Sequence, residues 1–113
     1  MPYVYEVSFD LDPKRTEELQ VGHALQRTIG YLKVRLPGRP GFILSEAVYS
    51  VDDPGATRVV FRSEWSDWDD VERHRASSLQ EDKVLAEFEP HVSADSIQTR
   101  IYAKVGSGPL RGY

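Results

Sequence analysis

His74 is the side chain of this sequence best placed for acid–base chemistry. It closes the run Ser66-Asp67-Trp68-Asp69-Asp70-Val71-Glu72-Arg73-His74, which follows Glu64-Trp65 at the end of a strand-like segment. An imidazole titrates near neutrality, so His74 can serve as a general base toward a phenol or an activated carbon acid. Asp70, four residues earlier, can hold the ring by a hydrogen bond on one helix face. Trp65 and Trp68 flank the junction and can stack on a flat aromatic substrate. Arg62 and Arg100 lie in strand-like segments and can stabilise a developing oxyanion. Each residue also has a plainer reading. His74 can be a boundary residue paired with Asp70, Trp65 a core anchor, and the arginines partners in cross-strand ion pairs. His23 and His91 add nothing with metal-ligand spacing, and Pro90 interrupts the pairing of Glu87 with His91. Neither a metal site nor a cofactor is expected.

The elements that must position these groups are legible in the hydrophobic periodicity. Tyr3 to Phe9 alternates, with Tyr3, Tyr5, Val7 and Phe9 on one side, and predicts a strand. Asp12-Pro13 suits a helix start. Val21, Leu25, Ile29, Leu32 and Leu36 then form one apolar helical stripe, on a helix predicted from Pro13 to about Leu36. Pro37-Gly38-Arg39-Pro40-Gly41 stops it. Phe42 to Val51 and Arg58 to Trp65 read as strands joined by a short turn containing Pro54-Gly55, an antiparallel hairpin. Ser66 is the expected cap of the next helix, with Asp69 in the reciprocal position and Val71 and Trp68 on its buried side. That helix runs to about Ser77. A further piece, Leu79 to Glu89, turns Leu85 and Phe88 to the core. Ser96 to Val105 alternates again as a last strand.

The order β-α-β-β-α-β is the ferredoxin-like arrangement of an α+β protein: a four-stranded antiparallel sheet with both helices on one face. Residues 1–105 make a single domain and residues 106–113 a flexible tail. In three strands both alternating sets carry apolar or aromatic residues, whereas a sheet wet on one face should show a cleaner polar set. Packing against a second copy covers that face, and a homodimer is expected. Glu6, Arg62, Glu64, Arg100 and Tyr102 interrupt the second face with polarity, as in a small-molecule site or a solvated ion-pair lattice.

Composition narrows the partners. The net charge of −4, with the basic residues scattered among acids, argues against nucleic acid. The chain has no cysteine, so thiolate chemistry and disulfides are excluded. No apolar run reaches the ~18 residues of a membrane span. The first residues lack the features of a signal peptide, and a cytoplasmic location is expected.

Pro40-Gly41-Phe42, the Asp52-Asp53-Pro54-Gly55 turn, Glu64-Trp65-Ser66-Asp67-Trp68 and His74 on the following helix together resemble the antibiotic biosynthesis monooxygenase superfamily. The agreement in element order extends from Tyr3 to Val105. The resemblance implies a dimeric α+β barrel, with a cavity in each subunit between sheet and helices. It also implies, in some members, cofactor-independent oxygenation of phenols or hydroquinones. On that reading His74 is the base, and Trp65, Trp68, Arg62 and Arg100 bind a small aromatic molecule; a non-catalytic dimer on the same fold is the alternative. The haem-degrading branch differs. It has tryptophan where this chain has His74, a ligating histidine near Val84, and asparagine in the first strand where this chain has Glu6 and Ser8.

Overall fold

The alternation of the first strand carries directly into three dimensions. β1 (Tyr3–Leu11) buries Tyr5, Val7, Phe9 and Leu11 and turns Val4, Glu6, Ser8 and Asp10 the other way. It is a central strand of a four-stranded sheet. Its neighbours are β3 (Thr57–Trp65) and β4 (Gln98–Ala103), and β2 (Phe42–Tyr49) lies outside β3, in the order β2-β3-β1-β4. All pairings are antiparallel. The computed structural model describes residues 1–11, 21–52, 56–89 and 91–106. The expected helix start at Asp12-Pro13, the Pro54-Gly55 turn, Pro90 and nearly all of the expected tail lie outside the described residues.

Among the described residues three helices cover one face. α1 (Val21–Arg35) buries Ala24, Leu25, Thr28 and Leu32, leaves His23 exposed, and passes into a short 3-10 turn at Leu36–Gly38 that buries Leu36. α2 (Trp68–Ser77) and α3 (Leu79–Phe88) are the two pieces expected between Ser66 and Glu89. They are separated by Ser78, whose left-handed backbone (φ 55) breaks the first helix and redirects the second. The core between the layers is dominated by rings and branched chains. Phe9 meets Phe88 at 5.4 Å, Trp65 meets Phe42 at 5.5 Å, and both pairs adjoin the buried cluster that holds Tyr5, Phe61, Val71 and Val84. Each fully buried side chain of this size contributes about 1.5–3 kcal/mol. This is a ferredoxin-like α+β fold.

Among the described residues no layer covers the other sheet face. Leu44 and Val48 of β2 and Tyr102 of β4 remain 44%, 46% and 43% exposed. No helix of the described residues is long and apolar enough to cross a membrane.

The start of α2 differs from expectation. Its cap residue is Asp67, which makes no side-chain capping bond, and the Ser66 hydroxyl instead donates to the Gly41 carbonyl at 3.1 Å. The Ser66 amide donates to the same carbonyl at 2.9 Å. A long-range tie to the loop before β2 replaces the local capping box. Trp68 does not mark the buried side of α2 either: it is 48% exposed and meets Tyr3 edge-on at 5.4 Å.

Candidate functional site

His74 is a core residue, 1% exposed, and its ring is held from three sides. The Trp65 indole stacks on it at 4.4 Å with an interplanar angle of 26°, and Tyr5 meets it edge-on at 5.4 Å. Nε2 lies 2.9 Å from Gln80 Oε1. The expected bond from Asp70 is absent. Asp70 pairs with Arg73 at 3.3 Å and packs over Gly41, so it turns away from the imidazole one helical turn below.

Gln80 organises the site. The break at Ser78 lets α3 aim its second residue into the core, on the same face as Val84 and Phe88. Its amide nitrogen donates to the Phe61 carbonyl at 3.0 Å and to the Tyr5 carbonyl at 3.5 Å. Those two acceptors fix the amide's orientation, because a carbonyl oxygen placed there would face other oxygens. Gln80 Oε1 therefore accepts, from the Ser63 hydroxyl at 2.5 Å and from His74. Ser63 in turn accepts from Trp65 Nε1 at 2.8 Å. The protonated nitrogen of the neutral imidazole is thus Nε2, and Nδ1 carries a bare lone pair with no hydrogen-bond partner. Burial pushes the His74 pKa from 6.5 down to about 4; the Gln80 bond opposes the shift and the nearby Arg39 charge adds to it. At neutral pH the ring is the free base.

Beside His74 lies a small cleft of about 20 Å3, lined by Arg39, Pro40, Trp65, Asp70, Arg73 and His74. That is room for about one water molecule. Among the described residues no cluster of histidine and carboxylate side chains is gathered as a metal ion would need.

Of the other expected site residues, Trp65 joins His74 and Trp68, Arg62 and Arg100 do not. The sheet pleat places Arg62 and Arg100 on the open face, because Ser63 and Ile101 take the helix side. There Arg62 bonds Glu6 at 2.9 Å and Glu46 at 3.3 Å, and the Glu6 carboxylate holds its guanidinium pKa above the usual value. Two concavities on this face, of about 290 and 410 Å3, share Val4 and Arg62. Trp68 and Arg100 both line a third cleft, of about 190 Å3, beside β4 with Tyr5, Arg75, Thr99 and Ile101. Trp65 reaches only the His74 cleft and spends its indole on the imidazole and Ser63. The five residues expected to share one site line three separate places: His74 with Trp65, Trp68 with Arg100, and Arg62 on the open face.

No family model and no curated protein matches the sequence. Solved structures do match its shape. The crystal structure of an antibiotic biosynthesis monooxygenase superposes with a TM-score of 0.58 at 16% identity, over 94% of this chain and 100% of that one. The chain has the antibiotic biosynthesis monooxygenase fold. SnoaB, a cofactor-independent oxygenase from Streptomyces nogalater, shares the fold with a TM-score of 0.57 at 14% identity, over 96% of this chain and 97% of that one. A dimeric ferredoxin-like protein from an uncultured marine organism shares it at 0.66 and 15%, over 95% and 98%.

Within that fold, Gln80 and Ser63 are the residues that sequence reasoning missed. A signal existed. Gln80, Val84 and Phe88 are spaced by four, and Ser63 sits between Phe61 and Trp65 on the inward set of β3. A polar residue on each of two core-facing stripes marks a buried hydrogen-bond pair.

Proposed function

We propose that the chain is a homodimeric, cofactor-independent monooxygenase of a small aromatic, quinol-type substrate, with His74 as its base. The observation that carries the reading is the state of the imidazole. Its Nε2 proton is committed to Gln80, its Nδ1 lone pair is unpartnered, and a water-sized cleft adjoins it. A buried acceptor left open costs about 1–3 kcal/mol, which a purely structural histidine has no reason to carry. Similarity to the fold of a cofactor-independent oxygenase supports the reaction class.

In this reading the substrate binds at the mouth of the cleft and gives its proton to Nδ1 through one water. The electron-rich anion reacts with O2. At a methylene flanked by aromatic rings, as in anthrone, CH2 and O2 become C=O and H2O. Arg39 and Arg73 line the cleft and take the anion-stabilising role that Arg62 and Arg100, on the opposite face, cannot fill. The substrate anion would also offset the Arg39 charge, one of the causes that depress the His74 pKa, and so raise the basicity of the ring as the proton arrives. Trp65 supports the imidazole rather than the substrate.

The test is oxygen consumption with anthrone and hydroquinone panels. His74→Ala should lose the activity by roughly a hundredfold or more. Equal rates for the two proteins remove His74 from the reaction.

One observation favours a second reading, a non-catalytic ligand-binding dimer. The roomier concavities lie on the open sheet face, away from His74. That reading expects no oxygen uptake, and binding of a small ligand that is sensitive to Arg62→Met and indifferent to His74→Ala.

A further inference from the structure

The helix layer stops short of the last strand. Within β4 only Ile101 is half-buried, while Gln98, Thr99, Arg100, Tyr102 and Ala103 are exposed. The cleft of about 190 Å3 lies in this gap. Its floor is the helix side of the sheet, where Tyr5 pairs with Ile101 and Thr99 stands two residues along on the same side. Its wall is α2. Trp68 and Arg75 are seven residues apart, two turns along one helix face, with Glu72 between them. Trp68 is held edge-on against Tyr3 at 5.4 Å and still leaves half its surface open. Arg75 is half exposed and bonds Glu72 at 2.7 Å. Arg100 borders the cleft from β4. Its cross-strand neighbour Glu6 is bonded by Arg62, and among the described residues Arg100 has no ion-pair partner.

We infer that this cleft is a binding site for a planar aromatic carboxylate, separate from the His74 cleft and independent of the reaction proposed there. Three features select the ligand. The first is the apolar lining, an indole, a tyrosine ring and an isoleucine, against which a flat aromatic ring stacks or packs edge-on. The second is charge. Among the described residues two arginines and no carboxylate line the cleft, in a chain whose net charge is −4, so the cleft is positive on a negative protein. An arginine fork matches a carboxylate with two parallel bonds. The third is size. The volume lies below the ~300 Å3 at which drug-sized pockets begin, which restricts the ligand to one ring or two fused rings. The ring lies against Trp68, the carboxylate meets Arg75, and Arg100 adds positive potential from the other side. Glu72 competes with the ligand, because its carboxylate already occupies part of the Arg75 fork.

The experiment is titration calorimetry of the full chain with 2-naphthoate, a two-ring carboxylate of the size the cleft admits. Two comparators accompany it: naphthalenemethanol, the ring without the charge, and cyclohexanecarboxylate, the charge without the aromatic face. The naphthoate should bind roughly tenfold more tightly than either, since each comparator gives up one of the two interactions. Trp68→Leu keeps apolar bulk, loses the indole face and should weaken binding roughly fivefold. Arg75→Gln should weaken it roughly tenfold or more, the cost of a lost charge-assisted bond. Arg100→Gln should weaken it by less, roughly threefold. Glu72→Gln should tighten it roughly threefold by releasing the Arg75 fork, a gain that a damaged fold cannot produce. Arg27→Gln is the matched control. It removes an arginine from another exposed ion pair, with Glu87 at 3.2 Å, and should leave the affinity unchanged. Equal affinity for the acid and the alcohol overturns the inference, as does Arg75→Gln binding like wild type. No binding of the naphthoate overturns it too. Binding lost in Arg73→Gln and kept in Arg75→Gln places the ligand in the His74 cleft and overturns the separate site. Oxygen uptake by His74→Ala is a different measurement, so either reading can fail while the other stands.

Discussion

The Trp65 indole covers one face of the His74 imidazole at 4.4 Å, the planes inclined by only 26°. A π-face at this distance suits either protonation state, but the surroundings do not: burial is the largest cause holding the His74 pKa near 4. The pH dependence follows. The folded value lies below the unfolded 6.5, so the stabilisation is complete above pH 6.5 and is lost as the pH falls toward 4. Across that window His74 should remove about 3 kcal/mol of stability, at ~1.4 kcal/mol per pH unit. Urea unfolding from neutral to acid pH, wild type minus His74→Phe, isolates the contribution. A difference that does not change with pH would show that the ring is solvated or already charged.

Gln80 should act on the tautomer as well as on stability. Gln80→Leu leaves the Ser63 hydroxyl and His74 Nε2 without their shared acceptor, and should cost roughly 2–4 kcal/mol at ~1–3 kcal/mol per orphaned buried group. The 15N shifts of the His74 ring should show a pure Nε2–H tautomer in the wild type and a mixture in Gln80→Leu. Gln80→Glu should raise the His74 pKa, since a carboxylate 2.9 Å away favours the imidazolium. An unchanged tautomer in Gln80→Leu would mean that something other than Gln80 orients the ring.

The sheet and the helix over residues 21–36 were readable from the sequence because their signals are local. Alternation in Tyr3 to Phe9 and steps of three and four in Leu25, Ile29, Leu32 and Leu36 depend on near neighbours only. The site was half readable. His74 and Trp65 announce themselves by type, but the residue that defines the chemistry of His74 lies on another helix. Gln80 takes its partners from residues 17, 19 and 75 positions away. Asp70 shows the converse. At four residues from His74 it looked like the obvious partner, yet the approach of the Gly41 loop and the neighbouring Arg73 draw it elsewhere. Ser66 was expected to cap α2 for the same reason, and it too is claimed by Gly41.

Gly41 should tolerate no side chain. Its φ of +79 is a conformation that other residues adopt at a cost of about 1–2 kcal/mol. A Cβ there would also overlap the Asp70 carboxylate and lie 2.7 Å from Asp70 Cβ. Gly41→Ala should therefore destabilise by about 2–4 kcal/mol, the backbone cost plus the displacement of Asp70. Asp70→Gly in the same chain should recover the clash component and leave the backbone component, so the two changes should be non-additive. Additive effects in thermal unfolding would show that the carboxylate moves aside freely.

The two tryptophans should separate cleanly. Trp65 is 1% exposed and donates to Ser63, whereas Trp68 is 48% exposed and rests edge-on against Tyr3. Trp65→Phe removes buried volume and leaves the Ser63 hydroxyl without its donor, a loss of about 2–4 kcal/mol. Trp68→Phe keeps an aromatic edge against Tyr3 and should cost less than about 1 kcal/mol. Fluorescence reads the same contrast without unfolding the protein. Trp68→Phe should leave a blue-shifted emission that acrylamide quenches poorly, and Trp65→Phe a red-shifted emission that it quenches well. Equal quenching of the two variants would show that the indole over His74 is open to solvent, and the low His74 pKa would then lose its physical cause.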